Sequence, residues 1–337
     1  MKQRKLLMIF LLMLSMMVFL AACGDNEGDA TDDAADNGAS EKEEPKAEKQ
    51  FLNLVTGGTG GTYYPLGGIF AQIFTDNTNA ETTAQSSGAS AENMQAISTE
   101  DADLAFTQTD IASYATEGKL MFSEPITNIK AIATLYPETI QVVTTADSGI
   151  TTIEDLKGKT VSVGAPGSGT FANAEQILEV HGLTMDDIKP QHLSFDESTG
   201  GIQDGTIDAA FITAGTPTGA VETLAATSKV VILPIAEDKI TQLIEKYPYY
   251  AKEEIPAGTY SLEKAVPTVA VQAMLVARES LDEETVYEIT KALFENLAQV
   301  ENAHAKGELI SLETALNGVG IEVHPGAKKY FDEQGVQ

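Results

Sequence analysis

The segment Thr56-Gly57-Gly58-Thr59-Gly60-Gly61-Thr62-Tyr63-Tyr64 joins an apolar run at 51–56 to a stretch of helical character at 64–75. A strand that passes through a glycine-dense loop into a helix is the building unit of an α/β fold. Short apolar runs at 102–108, 129–136, 141–145, 160–164, 209–213, 230–234 and 268–277 read as further buried strands. Helical patterns fall between many of them, at 91–99, 111–117, 171–181 and 218–226. A last helix is expected over 283–306, with Val286, Ile289, Leu293, Leu297 and Val300 on one face. Strand and helix in alternation predict mainly parallel sheets flanked by helices. No repeat of fixed period is present.

Four more junctions share the character of the first. They are Gln85-Ser86-Ser87-Gly88-Ala89-Ser90, Thr107-Gln108-Thr109-Asp110, Gly164-Ala165-Pro166-Gly167-Ser168-Gly169-Thr170 and Thr213-Ala214-Gly215-Thr216-Pro217. Glycine permits tight turns and close approach of a ligand to the backbone. Ser, Thr and Asp are expected to cap the helices that follow, and Thr216-Pro217 reads as a cap residue before a first-turn proline. The positive ends of those helices then face the crevice at the strand ends, where ligands of open α/β sheets bind. Helix starts are common, so each junction alone also fits a purely structural role. Together, split between two halves of the chain, they describe two lobes around a cleft that favours an anion. The residues nominated for ligand contact are Gly61, Thr62, Tyr63, Ser87, Gly88, Ser90, Gln108, Asp110, Gly167, Ser168, Gly169, Thr170, Thr213 and Gly215. An apolar wall could come from Tyr63, Tyr136, Phe171 or Phe195, and a ligand amine could meet Gln108, Asp110 or Glu138. Each of these could equally serve the core.

The N-terminal residues read as an address. Lys2, Arg4 and Lys5 precede an apolar run to Leu20, and Leu20-Ala21-Ala22-Cys23-Gly24 follows. Small residues before a Cys resemble the lipobox of bacterial lipoproteins, with the Cys23 thiol acylated. A plain membrane anchor is the competing reading. Residues 24–50 hold ten acidic residues, three Lys and no Val, Ile, Leu, Met or aromatic residue, too little apolar surface to offset ordering. The expected organisation is a signal peptide at 1–22, an acidic disordered tether at 23–50, lobe one at 51–137 plus 265–337, and lobe two at 138–264.

Composition removes several function classes. The 337 residues carry 21 Lys+Arg against 50 Asp+Glu, a formal charge of −29, which argues against nucleic-acid binding. Cys23 is the one cysteine, so neither a disulfide framework nor a Cys-based metal site is available. His181, His192, His304 and His324 have no pairing at metal-ligand spacing. Gly167-x-Gly169-x-x-Ala172 matches a dinucleotide fingerprint only formally, because Asp186 and Asp187 do not close a second strand. No Gly-x-Ser-x-Gly elbow occurs. Neither catalytic residues, metal nor cofactor is expected. Beyond residue 23 the chain has a single arginine, Arg278, so a carboxylate ligand must rely on backbone N–H groups, hydroxyls and helix ends.

The signal with Cys23, the run from Thr56 to Gly67, Ser87-Gly88-Ala89-Ser90-Ala91-Glu92-Asn93 and Asp103-Leu104-Ala105-Phe106-Thr107-Gln108-Thr109-Asp110 resemble the TAXI solute-receptor family. These are the extracytoplasmic binding proteins of a class of TRAP (tripartite ATP-independent periplasmic) transporters. The likeness continues through 164–170 and Phe211-Ile212-Thr213-Ala214-Gly215, and Gly60-Gly61-Thr62-Tyr63-Tyr64 is its most specific part. It implies a two-lobed periplasmic-binding-protein fold of type II character that closes on a solute and delivers it to membrane permease subunits. It also implies a small carboxylate or amino-acid solute of the glutamate or 2-oxoglutarate class. The lipid signal departs from the usual periplasmic member and suggests a receptor held on the outer face of the cytoplasmic membrane through acylated Cys23. A secreted enzyme using the same cleft and a surface antigen without ligand are the rival readings.

Overall fold

In the computed structural model, which describes residues 49–336, Leu52 and Leu54 point into the core while Phe51 and Asn53 face outward. That period of two makes Gln50–Val55 a strand, β1, and Gln50 already belongs to it. The expected signal, Cys23 and nearly all of the tether lie outside the described residues. β1 pairs in parallel with β2 (Ala80–Gln85) and β3 (Leu104–Gln108). The crossovers are α1 (Tyr63–Asn77) and α2 (Ser90–Ser98), and α3 (Thr109–Glu117) follows β3 directly.

The second half repeats the scheme. β5 (Thr160–Ser162) pairs in parallel with β6 (Lys189–Gln191) and β7 (Ala209–Ala214). α4 (Thr170–Val180) and α5 (Phe195–Gln203) are its crossovers, and α6 (Gly219–Ala225) follows β7. Between the two parallel sets run two long antiparallel strands, β4 (Ile129–Thr145) and β10 (Val266–Arg278). β8 (Val230–Ile232) and β9 (Ala251–Ile255) pair with β4 and β10 at the sheet's margin, and α7 (Glu237–Lys246) lies between them in sequence. The sheet order is β2-β1-β3-β10-β4-β7-β5-β6. α8 (Glu283–Glu295), α9 (Leu297–Ala303) and α10 (Pro325–Gln334) complete the chain.

Of the four apolar clusters among the described residues, two show how the central pair is divided. Phe70, Phe74 and Phe106 pack with Val286, Leu293 and Phe331, drawing on residues 52–136 and 273–331. Burying each of these phenylalanines contributes about 1.5–3 kcal/mol. Val161, Ile177, Phe211 and Leu243 pack with Ile140, Val269 and Val271 in another. Membership therefore changes along β4 between Tyr136 and Ile140, and along β10 between Val271 and Ala273. At that point Pro137 pairs with Gln272, and the register shifts between Gln272 and Met274. A proline has no N–H for the ladder, so an irregularity there is the expected consequence.

Some elements differ from the sequence reading. The strands read at 129–136 and 141–145 are one strand, because burial continues through the segment apart from Pro137 and the terminal Thr145. The helix read at 283–306 is two helices, broken at Asn296, whose side-chain amide donates to Ala292 O at 2.8 Å. Thr216-Pro217 is a cis peptide and starts no helix. Thr218 is the N-cap instead, its hydroxyl donating to Gly215 O at 2.8 Å. α5 carries few apolar residues and two internal glycines, which hid it from periodicity. Its start is fixed by a capping box in which Ser194 and Glu197 bond reciprocally.

Candidate functional site

The glycine loop after β1 crosses from one core region to the other. Gly60 O accepts from Ala220 N at 3.1 Å, Thr59 Oγ1 donates to Asp196 Oδ2 at 3.0 Å, and Thr62 Oγ1 reaches Gly215 O at 3.4 Å. On the other side, Gly167 O accepts from Ala91 N at 2.9 Å and Glu92 N at 3.0 Å. A small cavity lies between these two sets of contacts. Its volume is about 40 Å³.

One wall comes from Gly57, Gly58, Gly61, Thr62 and Tyr63, together with Ala89, Ser90, Gln108 and Glu138. The opposite wall comes from Ser168, Gly169, Thr170, Phe195, Thr213 and Ala214. Asn93 builds the first wall: its Nδ2 donates to Thr56 O and Phe106 O, both at 2.7 Å, so the ends of β1 and β3 are tied together. Asn173 builds the second. Its Oδ1 accepts from Gln108 Nε2 and Thr213 Oγ1, each at 3.1 Å, and its Nδ2 donates to Asp110 Oδ2 at 3.0 Å.

The helix starts at this cavity are not closed by side chains. Thr62 is the N-cap of α1 and Gly169 that of α4, and neither makes a side-chain cap bond. First-turn N–H groups and the positive helix ends therefore remain for a ligand. Ser168 Oγ and Gln108 Oε1 are buried at the same cavity without a hydrogen-bond partner among the described residues. A buried polar atom left this way costs about 1–3 kcal/mol, which a ligand or an ordered water removes.

Among the described residues no Lys, Arg or His lines the cavity. The one carboxyl among the described lining residues is Glu138, 2 % exposed, whose Oε2 accepts from Tyr63 Oη at 2.8 Å. Burial pushes Glu138 well above the usual carboxylate range, and the charge of Asp110 adds to the shift; the Tyr63 and Gln108 side chains oppose it. Burial likewise raises the Tyr63 hydroxyl, with Glu138 adding to the effect. Among the described residues no cluster of His, Cys, Asp and Glu is disposed to hold a metal ion.

Of the fourteen residues nominated from sequence, Gly61, Thr62, Tyr63, Ser90, Gln108, Ser168, Gly169, Thr170 and Thr213 line the cavity. The other five stand behind it. Ser87 Oγ donates to Asn93 Oδ1 at 2.6 Å and accepts from Ala89 N at 3.1 Å, so it shapes its own turn. Gly88 faces Pro166 O, where a Cβ would crowd the opposite loop. Asp110 is fully buried and accepts from Ile111 N and Asn173. Gly167 uses its carbonyl on the start of α2, and Gly215 uses its own on Thr62 and Thr218. Gly57, Gly58, Ala89 and Ala214, from the same glycine and hydroxyl-rich junctions, also line the cavity. Glu138, a candidate for a ligand amine, and Phe195, a candidate for an apolar wall, both reach the cavity. Phe171 packs with His192 on a neighbouring groove, and Tyr136 is fully buried.

A model of the NMT1-like family matches residues 54–335. The structure is similar to MatC from Rhodopseudomonas palustris with bound malate, at TM-score 0.57 and 11 % identity over 84 % of this chain and 97 % of that one. It is also similar to a protein from Bordetella bronchiseptica RB50, at TM-score 0.55 and 18 % identity over 85 % and 83 %. A third is PhnD1 from Prochlorococcus marinus in complex with methylphosphonate, at TM-score 0.51 and 13 % identity over 85 % and 97 %. The fold is the periplasmic-binding-protein fold.

Proposed function

Because the chain belongs to the NMT1-like family, we propose that it is an extracytoplasmic solute-binding receptor of a transporter, of the TAXI type. Its solute is a small carboxylate of the glutamate or 2-oxoglutarate class, delivered to TRAP membrane permease subunits. The observation that carries this reading is the convergence, on one small cavity, of two helix starts without side-chain caps and two buried unpartnered polar atoms, Ser168 Oγ and Gln108 Oε1. Backbone N–H groups at the start of a helix suit an anion without any guanidinium. Malate and methylphosphonate, the ligands of the similar MatC and PhnD1, are small anions and support the choice.

In this reading 51–137 plus 265–337 form one lobe and 138–264 the other, and β4 and β10 form the hinge between them. The present contacts on both sides of the cavity then describe the closed form. Attachment to the outer face of the membrane is through acylated Cys23. A thermal-shift screen of amino acids, 2-oxo acids and dicarboxylates tests the reading. A solute at a hundred times its dissociation constant adds about 2.7 kcal/mol to the folded state. Stabilisation by one small carboxylate, without turnover, is the expected result. Absence of any stabilisation across the screen would refute it.

A further inference from the structure

We propose that Glu138 selects the solute: it accepts from an ammonium group on a ligand whose carboxylate lies at the helix starts of Tyr63 and Thr170. The inference rests on the carboxylate reading above and narrows it to zwitterionic amino acids, against 2-oxo acids and simple dicarboxylates.

The carboxyl sits in the cavity wall, 2 % exposed, on a strand held from both sides, where Glu138 pairs with Val271 and the next residue, Thr139, with Ala214. Among the described residues it makes no ion pair, and the cavity contains no cationic side chain. Tyr63 Oη occupies one of its oxygens at 2.8 Å. A buried carboxylate without a cation is costly, and a hydrogen-bonded ammonium offsets that cost. Gln108 Oε1, buried and unpartnered at the same cavity, supplies a second acceptor for a group with three donors. A dianion lacking the ammonium would leave Gln108 Oε1 without a donor and Glu138 in its neutral form.

The groups facing Glu138 are Tyr63 from α1, Tyr136 from its own strand, and Asp110 and Gln108 at the start of α3. Its ladder partners on β10 and β7 contribute no ionisable side chain there. None is a cation, so the ligand is the source of positive charge. Burial holds the free carboxyl in its protonated form further up the pH scale than an ordinary glutamate. Ammonium binding ionises it, and the proton leaves to solvent. Binding of an amino acid therefore releases protons and tightens as pH rises through the Glu138 titration. A ligand carboxylate bound to the protonated acid would show the opposite trend.

The experiment is titration calorimetry on the whole chain with amino acids and their matching 2-oxo acids, L-glutamate with 2-oxoglutarate first. Each titration is repeated in two buffers of different ionisation enthalpy, which counts protons without any variant. The expected result is that an amino acid binds with proton release while its oxo partner does not. Glu138→Gln, with native melting, should weaken that amino acid on the order of tenfold to a hundredfold, the loss of a charge-assisted bond. Oxo acids binding as well as or better than the amines, or amine binding without proton release, overturns the proposal and leaves the carboxylate receptor standing. Binding of neither set overturns both.

Discussion

Gly169 abuts Gln108 across the cavity, so that a Cβ built on Gly169 would overlap the Gln108 side-chain amide and crowd Ile111. The backbone of Gly169 is ordinary, φ −69° and ψ −22°, so the requirement for glycine is space. The sequence suggests that this glycine lets a ligand approach the backbone. The structure shows a different occupant: the far wall itself.

Gly169→Ala is therefore expected to wedge the two walls apart. In the closed form the overlap costs about 1–3 kcal/mol, the range for an extra methyl in a packed site. The open form relieves it, so the melting temperature without solute should change little while affinity drops. Small-angle scattering reads the same effect. Wild type should contract on binding, and the variant should keep the larger radius of gyration at the same solute concentration. Equal contraction of both proteins would show that the contact does not govern closure.

Asp110 makes stability depend on pH. It is fully buried, and burial raises its carboxyl from 3.8 to about 6, against the opposing hydrogen bonds of Ile111 N and Asn173. The folded protein thus holds a proton that the unfolded chain has already released between pH 3.8 and about 6. Stability falls as pH rises through that window, by about 3 kcal/mol in total, and is flat with respect to this group above it. Denaturant melts of wild type and Asp110→Asn across pH 4–7 isolate the contribution. The wild type should lose stability relative to the variant over the window, and a constant difference would place the titration elsewhere.

The quoted loop was legible because its information is local: an alternating strand, a dense run of glycines and a helix occupy consecutive positions from Gln50 to Asn77. Parallel pairing on both sides followed from the same alternation. What the sequence concealed depends on partners far apart in the chain. Ser87 carries the same local signal as Ser168, yet its hydroxyl is taken by Asn93, and Ser168 Oγ has no partner among the described residues. Gly167 resembles a ligand loop, but its carbonyl closes the start of α2, some 75 residues earlier. Glu138 is only one of three candidates for a ligand amine in the sequence, because fifty acidic residues surround the choice. One signal could have singled it out: with Lys130 it is one of two charged residues in the seventeen of β4.

Cys23 is expected to carry the lipid that holds the receptor at the membrane. Two or more acyl chains anchor stably where one binds only marginally. Cys23→Ala should leave an uncleaved precursor or a protein released to the medium, read by fractionation and mass spectrometry of the N-terminus. Normal processing with full membrane retention would argue for a plain anchor instead.

Arg278 supports the fold and not the solute. Its Nε donates to Asp103 Oδ1 at 2.8 Å, with the two side chains 19 % and 17 % exposed, and Asp103 Oδ2 in turn accepts from Asn53 N at 2.8 Å. The trio links the end of β10 to β1 and to the turn before β3, and Arg278 does not line the cavity. Removing the guanidinium leaves the Asp103 carboxylate partly buried with its backbone donor alone. Arg278→Met should therefore lower unfolding stability by about 2 kcal/mol, the scale of a hydrogen bond to a charged group. The dissociation constant for whichever solute the screen returns should stay within about twofold of wild type, because distant sites act additively. A well-folded Arg278→Met that no longer binds would mean that a guanidinium, after all, holds the carboxylate.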